Sequence, residues 1–150
     1  MTIASILAKK GGHVFTVRPD QTIRQALATL AERNVGALMV VDATGAPVGV
    51  LSERDIVRRL VRDETAFTMK VSEVMSKPVI SGVPQDDLAS ASVTMTEKRI
   101  RHLPILDGGR LVGVISIGDI VKAQRDTYQG EVETLETQLI EEGHGKVIKH

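Results

Sequence analysis

Apolar residues along the chain recur in two registers, and the same succession of registers occurs twice. Ile23, Ala26, Leu27, Leu30 and Ala31 fall at i, i+3, i+4, i+7 and i+8, the spacing of a single helix face. Leu88, Ala91, Ser92, Met95 and Thr96 repeat that spacing with a more polar edge. Two short apolar runs follow each stripe: ALMVV and PVGVL split by DATG, then LPIL and RLVGVI split by DGG. The Asp and Gly residues at both splits suit hairpin turns. A short extended segment precedes each stripe (Val14 to Val17; Val79 and Ile80) and runs into a loop containing Pro19 or Pro84. A second helix is expected from Ser52 and again from Ser116. Each copy therefore reads β-α-β-β-α.

The two copies align closely. Val14 to Asp42 matches Val79 to Asp107 without a gap at a spacing of 65, and GVLSERDIVRR (Gly49 to Arg59) returns as GVISIGDIVKA at a spacing of 64. One residue is lost in the second hairpin turn. A unit of about 60 residues buries a sheet and two helices poorly by itself, so face-to-face packing of the copies is the economical arrangement. The expected organisation is repeat one over 1–65, repeat two over 66–125, and a helical extension and tail over 126–150. The fold class is α/β in the broad, α+β sense, a pseudo-twofold module with a long C-terminal helix. Arg62 to Lys70 reads as a polar connector whose Phe67 and Met69 dock on the core, and Pro78 prevents a helix from running into the second copy. The last helix should extend from Asp119 to about Glu142, with Tyr128, Val132, Leu135 and Leu139 as a narrow apolar stripe. Gly130 weakens it by about 1 kcal/mol relative to alanine. Gly143 to His150 are expected to fray.

Composition removes several function classes. Among 150 residues, 19 basic and 19 acidic side chains balance, which takes away the usual cause of broad attraction to nucleic acid or anionic membrane. No apolar run approaches the roughly 18–20 residues needed to cross a bilayer, and the patch Ile3 to Ala8 lacks the leading charge of a signal peptide. The absence of cysteine excludes disulfides and thiolate chemistry and suits a reducing cytoplasm. Phe15, Phe67 and Tyr128 are the only aromatics, too few for stacking bases. His13, His102, His144 and His150 match no metal-ligand spacing, and Ser5, Ser72, Ser76 and Thr94 have no base to activate them. Met39, Met69, Met75 and Met95 read as core fillers.

The element that carries chemistry is G-h-h-S-x-x-D: Gly49, Ser52 and Asp55, then Gly113, Ser116 and Asp119. Serine at a helix N-cap with an acid three residues on forms a capping box, which is a sufficient structural reason for both. The same arrangement also offers free backbone N–H groups and a hydroxyl to a phosphate at the helix start. An aspartate one turn along can accept two hydrogen bonds from a ribose diol. Both readings stand on the sequence alone.

The repeated motif, HLPILD, and VSEVMSKPVI at the junction resemble a tandem pair of cystathionine-β-synthase (CBS) domains, a Bateman module, over roughly Ile3 to Gln124. The resemblance implies two clefts between the copies that take AMP, ADP, ATP, NAD(H) or S-adenosylmethionine. It places Asp55 and Asp119 on ribose, Ser52 and Ser116 on phosphate, and Thr16-Val17-Arg18 and Ser81-Gly82-Val83 against the adenine edge. Arg101 and His102 fall where family members place basic residues near phosphate; their counterparts Gly36 and Ala37 carry no charge. The favoured site is accordingly Ser116, Asp119, Arg101 and His102, with Gly118 leaving clearance where copy one has Glu53-Arg54. Arg54 is either a further phosphate ligand or a solvated helix arginine. The resulting expectation is a cytoplasmic, non-enzymatic sensor of an adenine nucleotide, AMP first among them. It is expected to be a homodimer through its C-terminal helix, to act on a regulated protein partner, and to bind neither nucleic acid nor membrane. The alternative is a structural dimerisation or adaptor module with empty clefts.

Overall fold

The computed structural model describes residues 1–142. Helix α1 (Ile3–Lys10) opens the chain. Copy one then contributes β1 (Thr16–Val17), α2 (Ile23–Arg33), β2 (Ala37–Val41), β3 (Pro47–Ser52) and α3 (Glu53–Arg62). A 3-10 helix (Glu64–Thr68) and the short helix α4 (Val71–Val74) lead to α5 (Leu88–Lys98), β4 (His102–Asp107), β5 (Arg110–Ser116) and α6 (Ile117–Glu142). In copy one β1 pairs parallel with β2, which pairs antiparallel with β3; in copy two β4 and β5 form the antiparallel pair. Both hairpins carry a register shift after their fourth pair, at Val40/Val41 and Ile105/Leu106. The second turn places Gly108 (φ 58°) and Gly109 (φ 79°) in the left-handed region, as a two-residue hairpin joining Asp107 to Arg110 requires.

The helix stripes bury as their spacing predicts, with trimmed edges. Ile23, Ala26 and Leu30 are buried on α2, and Leu88, Ala91 and Met95 on α5, whereas Ala31 and Thr96 face solvent. Caps fix both helix starts: Thr22 and Gln25 form a full capping box, and Asp87 accepts the Ser90 N–H at 2.6 Å. The connector is more ordered than its polarity suggests. Ala66 is fully buried in the 3-10 helix, Met69 packs on the copy-one core, and the Phe67 ring lies 5.5 Å under the Arg24 guanidinium.

Two features differ from the sequence reading. Val79 and Ile80 form no strand; the parallel contact moves to Gly82, whose N–H donates to Pro104 O and whose carbonyl accepts from Leu106 N, both at 2.9 Å. Gly82 can make this approach because a Cβ there would sit 3.1 Å from Leu103 Cδ2.

The cores also cross the chain. Val71, with Met69, Val74 and Met75 at its edge, belongs to the copy-one core of Val17, Ile23, Leu30, Leu38, Leu51 and Ile56. Ile3 and Ile6, with Leu7 at the edge, belong to the copy-two core of Leu88, Met95, Leu103, Ile105, Ile115 and Ile120. The helix leading into each copy thus packs on the other copy. Matching isolated bridges hold the two leading helices: Thr2 to Asp87 and Lys70 to Thr22. Gly49 and Gly113 make room for them, since a Cβ at Gly49 would collide with Met75, and one at Gly113 would lie 2.5 Å from Leu7 Cδ2.

The N-terminal patch Ile3 to Ala8 is therefore part of a core helix. No helix among the described residues is long and apolar enough to cross a membrane. The behaviour expected of Gly143 to His150 lies outside the described residues.

Candidate functional site

Strands β3 and β5 deliver the two Ser–Asp pairs to the starts of α3 and α6. Ser52 Oγ accepts the Asp55 N–H at 3.1 Å while Asp55 Oδ2 accepts the Ser52 N–H at 3.0 Å. Ser116 and Asp119 repeat the box at 3.0 and 2.8 Å. The capping reading is thus realised twice, and each aspartate retains limited further capacity. Asp55 Oδ1 accepts only the Ser76 hydroxyl, at 3.2 Å. Asp119 Oδ2 also accepts from Lys10 Nζ at 2.6 Å, and the same ammonium donates to Val114 O at 2.9 Å.

Two cavities open between the copies. One, of about 710 Å3, holds Ser52, Glu53, Arg54, Asp55 and Arg58 from copy one, faced by Pro78, Ile80, Arg99, Arg101 and His102. The other, of about 340 Å3, is lined by Lys10, His13, Val14, Phe15 and Ala37 to Met39, faced by His102, Val114 and Ser116. Both volumes lie in the range of small-molecule sites. Each cleft takes its Ser-capped helix start from one copy and the segment leading into the first helix from the other. A ligand in either cleft therefore touches both copies.

Electrostatically the clefts are unlike. The larger collects four arginines against Glu53 and Asp55. In the smaller, the Lys10 charge lies against the Asp119 carboxylate. Burial favours the protonated form of Asp119, but the hydrogen bonds from Lys10 and Ser116 outweigh it and hold the carboxyl below its usual range. His102 lines both cavities. Burial is the main cause that lowers its pKa, with Lys10 and Arg101 adding to it against the opposing charge of Asp119.

The expected site residues separate in this geometry. Ser52, Arg54 and Asp55 come together, and they are joined by Arg101 and His102 rather than facing an uncharged wall. Ser116 keeps His102 but not Arg101. Arg101 and His102 therefore meet in the cleft of Ser52 and Asp55, and only His102 extends to the cleft of Ser116. Asp119 lines a third, outer cavity of about 210 Å3 with Lys9, Lys10 and Lys122, and Lys10 borders both that cavity and the cleft of Ser116.

Thr16, Ser81 and Val83 line none of these cavities; Val14 and Phe15, and Pro78 and Ile80, take those places two or three residues earlier. The register differs because Val17 turns inward into the core and Gly82 is consumed by its strand contact. Lys10, Arg58 and Arg99 were not among the expected residues. Arg58 lies one helical turn beyond Arg54 on the same face, a spacing visible in the sequence. Arg99 occupies the place of Asn34, and Lys10 is found only by knowing where α1 docks.

Two like copies facing each other across a pair of clefts define a tandem-repeat module. Residues 5–62 and 71–126 match the family description "CBS domain", and the chain belongs to that family. The CBS domain-containing protein YhcV of Bacillus subtilis is 41% identical over 111 residues, covering 74% of this chain and 79% of that protein. The crystal structure of the CBS-domain containing protein ATU1752 from Agrobacterium tumefaciens superposes with a TM-score of 0.80 at 37% identity, over 83% of this chain and 99% of that one. A more distant structure, CBSX2 in complex with AMP, shares the fold with a TM-score of 0.68 at 24% identity, over 85% of this chain and 98% of its own.

Proposed function

We propose that this chain is a regulatory module that senses an adenine nucleotide in the clefts between its two copies. The observation that carries the reading is the construction of each cleft. A Ser-capped helix start from one copy meets an apolar segment of the other, so phosphate, ribose and base each face a suitable surface. The AMP held by CBSX2 is consistent with AMP as the first candidate, and ATP and NAD(H) share the same adenosine phosphate unit. Adenine is held by aliphatic groups and backbone at Pro78 and Ile80 in the larger cleft, while the smaller adds the aromatic Phe15 to Val14 and Ala37 to Met39.

The output is a change in how the copies pack, transmitted to a protein partner. Such a change requires the ligand to bind one arrangement better than the other. The chain performs no chemistry of its own and works as a homodimer, with the exposed Tyr128, Leu135 and Leu139 of α6 meeting a second copy. A cysteine-free chain suits the cytoplasm.

One observation favours the purely structural alternative. All four Ser and Asp side chains are engaged in capping boxes, and Lys10 is paired with Asp119. Calorimetric titration with AMP, ATP and NAD(H) separates the readings. Saturable binding that weakens about tenfold in folded Asp55→Ala or Ser116→Ala supports the sensor. No saturable binding of any of the three leaves the dimerisation module.

A further inference from the structure

We infer that the two clefts take ligands of different charge: the Ser52–Asp55 cleft a nucleoside di- or triphosphate, the Ser116 cleft a nucleoside with one phosphate or none. The inference rests on the nucleotide reading above and assigns a ligand class to each of its sites.

Arg54 and Arg58 are one turn apart on α3, and Arg99 and Arg101 approach from the other copy, all four lining one cavity. With Glu53 and Asp55 in the same wall, two positive charges remain in excess. Among the described residues, none of these guanidiniums takes part in an ion pair; the two ion pairs are Lys10–Asp119 and Arg18–Asp20. Four cations gathered without partners repel one another, and an extended anion relieves that repulsion. Guanidinium forks also match phosphate oxygens two at a time.

Arg99 adds a second, independent sign. It ends α5 in the left-handed conformation at φ 54°, where copy one has Asn34 at φ 53°. Asparagine visits that region readily, while an ordinary side chain there costs roughly 1–2 kcal/mol. An arginine therefore occupies a backbone position that favours another residue, and it lines the cavity. The Ser116 cleft offers no comparable charge. Its ammonium, Lys10, is held by Asp119 and by Val114 O, and the remaining ionisable lining groups are His13 and His102.

The division has a mechanical consequence. A polyphosphate bridges Arg54 and Arg58 of one copy to Arg99 and Arg101 of the other and so favours the arrangement in which both pairs reach it. A ligand with a short phosphate tail cannot reach across in the same way. The larger cleft thus reports the length of the phosphate chain.

The test is a calorimetric series with adenosine, AMP, ADP and ATP on the full chain, at low and at raised sodium chloride. Arg99→Asn and Arg54→Gln are the test variants, and Arg110→Gln removes the same charge at the exposed hairpin tip. Arg99→Asn installs the residue of copy one, so its fold is retained. The expected result is one site whose affinity rises with each added phosphate, falls with salt, and drops tenfold or more in both test variants but not in Arg110→Gln. Equal affinity for AMP and ATP at every site, or an ATP site indifferent to Arg54→Gln and Arg99→Asn, overturns the division while leaving nucleotide binding intact. No binding of any of the four overturns both.

Discussion

His102 stands on the wall common to both clefts, facing Ser116 across the β4–β5 pair, with Lys10, Arg101 and Asp119 as its charged neighbours. Because burial lowers its pKa in the folded state, the folded protein binds fewer protons than the unfolded chain below about pH 6.5. The resulting stability is complete above that value and is lost as pH falls from there toward the folded-state pKa. Asp119, whose pKa is also depressed, contributes in a separate window: its stability is present above about pH 3.9 and is lost only at lower pH. Between pH 7.5 and 5.5, thermal unfolding should therefore show a decline carried by His102, at no more than about 1.4 kcal/mol per pH unit. His102→Gln should flatten it. An unchanged slope in that variant would remove His102 as its source.

The helices that lead into the two copies were only partly legible in the sequence. The stripes, hairpins and Ser-capped helices follow directly from apolar spacing and turn residues, and the structure forms all of them. The exchange of leading helices does not follow in the same way, although a signal for it exists. IASILAKK (Ile3 to Lys10) aligns with VSEVMSKP (Val71 to Pro78), placing Ile3, Ile6 and Leu7 over Val71, Val74 and Met75. That alignment identifies the buried face of α1, but the periodicity of eight residues cannot say which core receives it. The docking glycines can be tested. Gly113→Val should destabilise the fold by about 1–3 kcal/mol through collision with Leu7, as chemical denaturation would measure. In a Leu7→Ala background the same change should cost clearly less, because the two positions touch. Additive costs would place α1 elsewhere.

Across the whole molecule, the clefts combine residues far apart in the chain, and here sequence reading reached its limit. It identified Ser52, Asp55, Ser116, Asp119, Arg101 and His102 as individuals, but grouped Arg101 with the pair in its own copy. Pairing the copies sends Arg101 to the cleft of Ser52 and Asp55, a choice made by packing that no local pattern encodes. The apolar face of α6 belongs to the same scale. Tyr128, Leu135 and Leu139 are 67%, 58% and 57% exposed in the single chain, more apolar surface than a lone solvated helix needs. Leu135→Glu should halve the mass seen by sedimentation equilibrium while leaving helical content unchanged; a wild-type monomer at all concentrations would contradict the dimer.

The central claim is that an adenine nucleotide occupies the space between the copies, and a crystal structure grown with saturating ATP or AMP tests it most directly. The account predicts nucleotide density between the copies, with phosphate at the Ser52 or Ser116 helix start and, in the larger cleft, ribose hydroxyls on Asp55. Clefts free of nucleotide at saturating concentration, or a nucleotide bound only outside them, would contradict it.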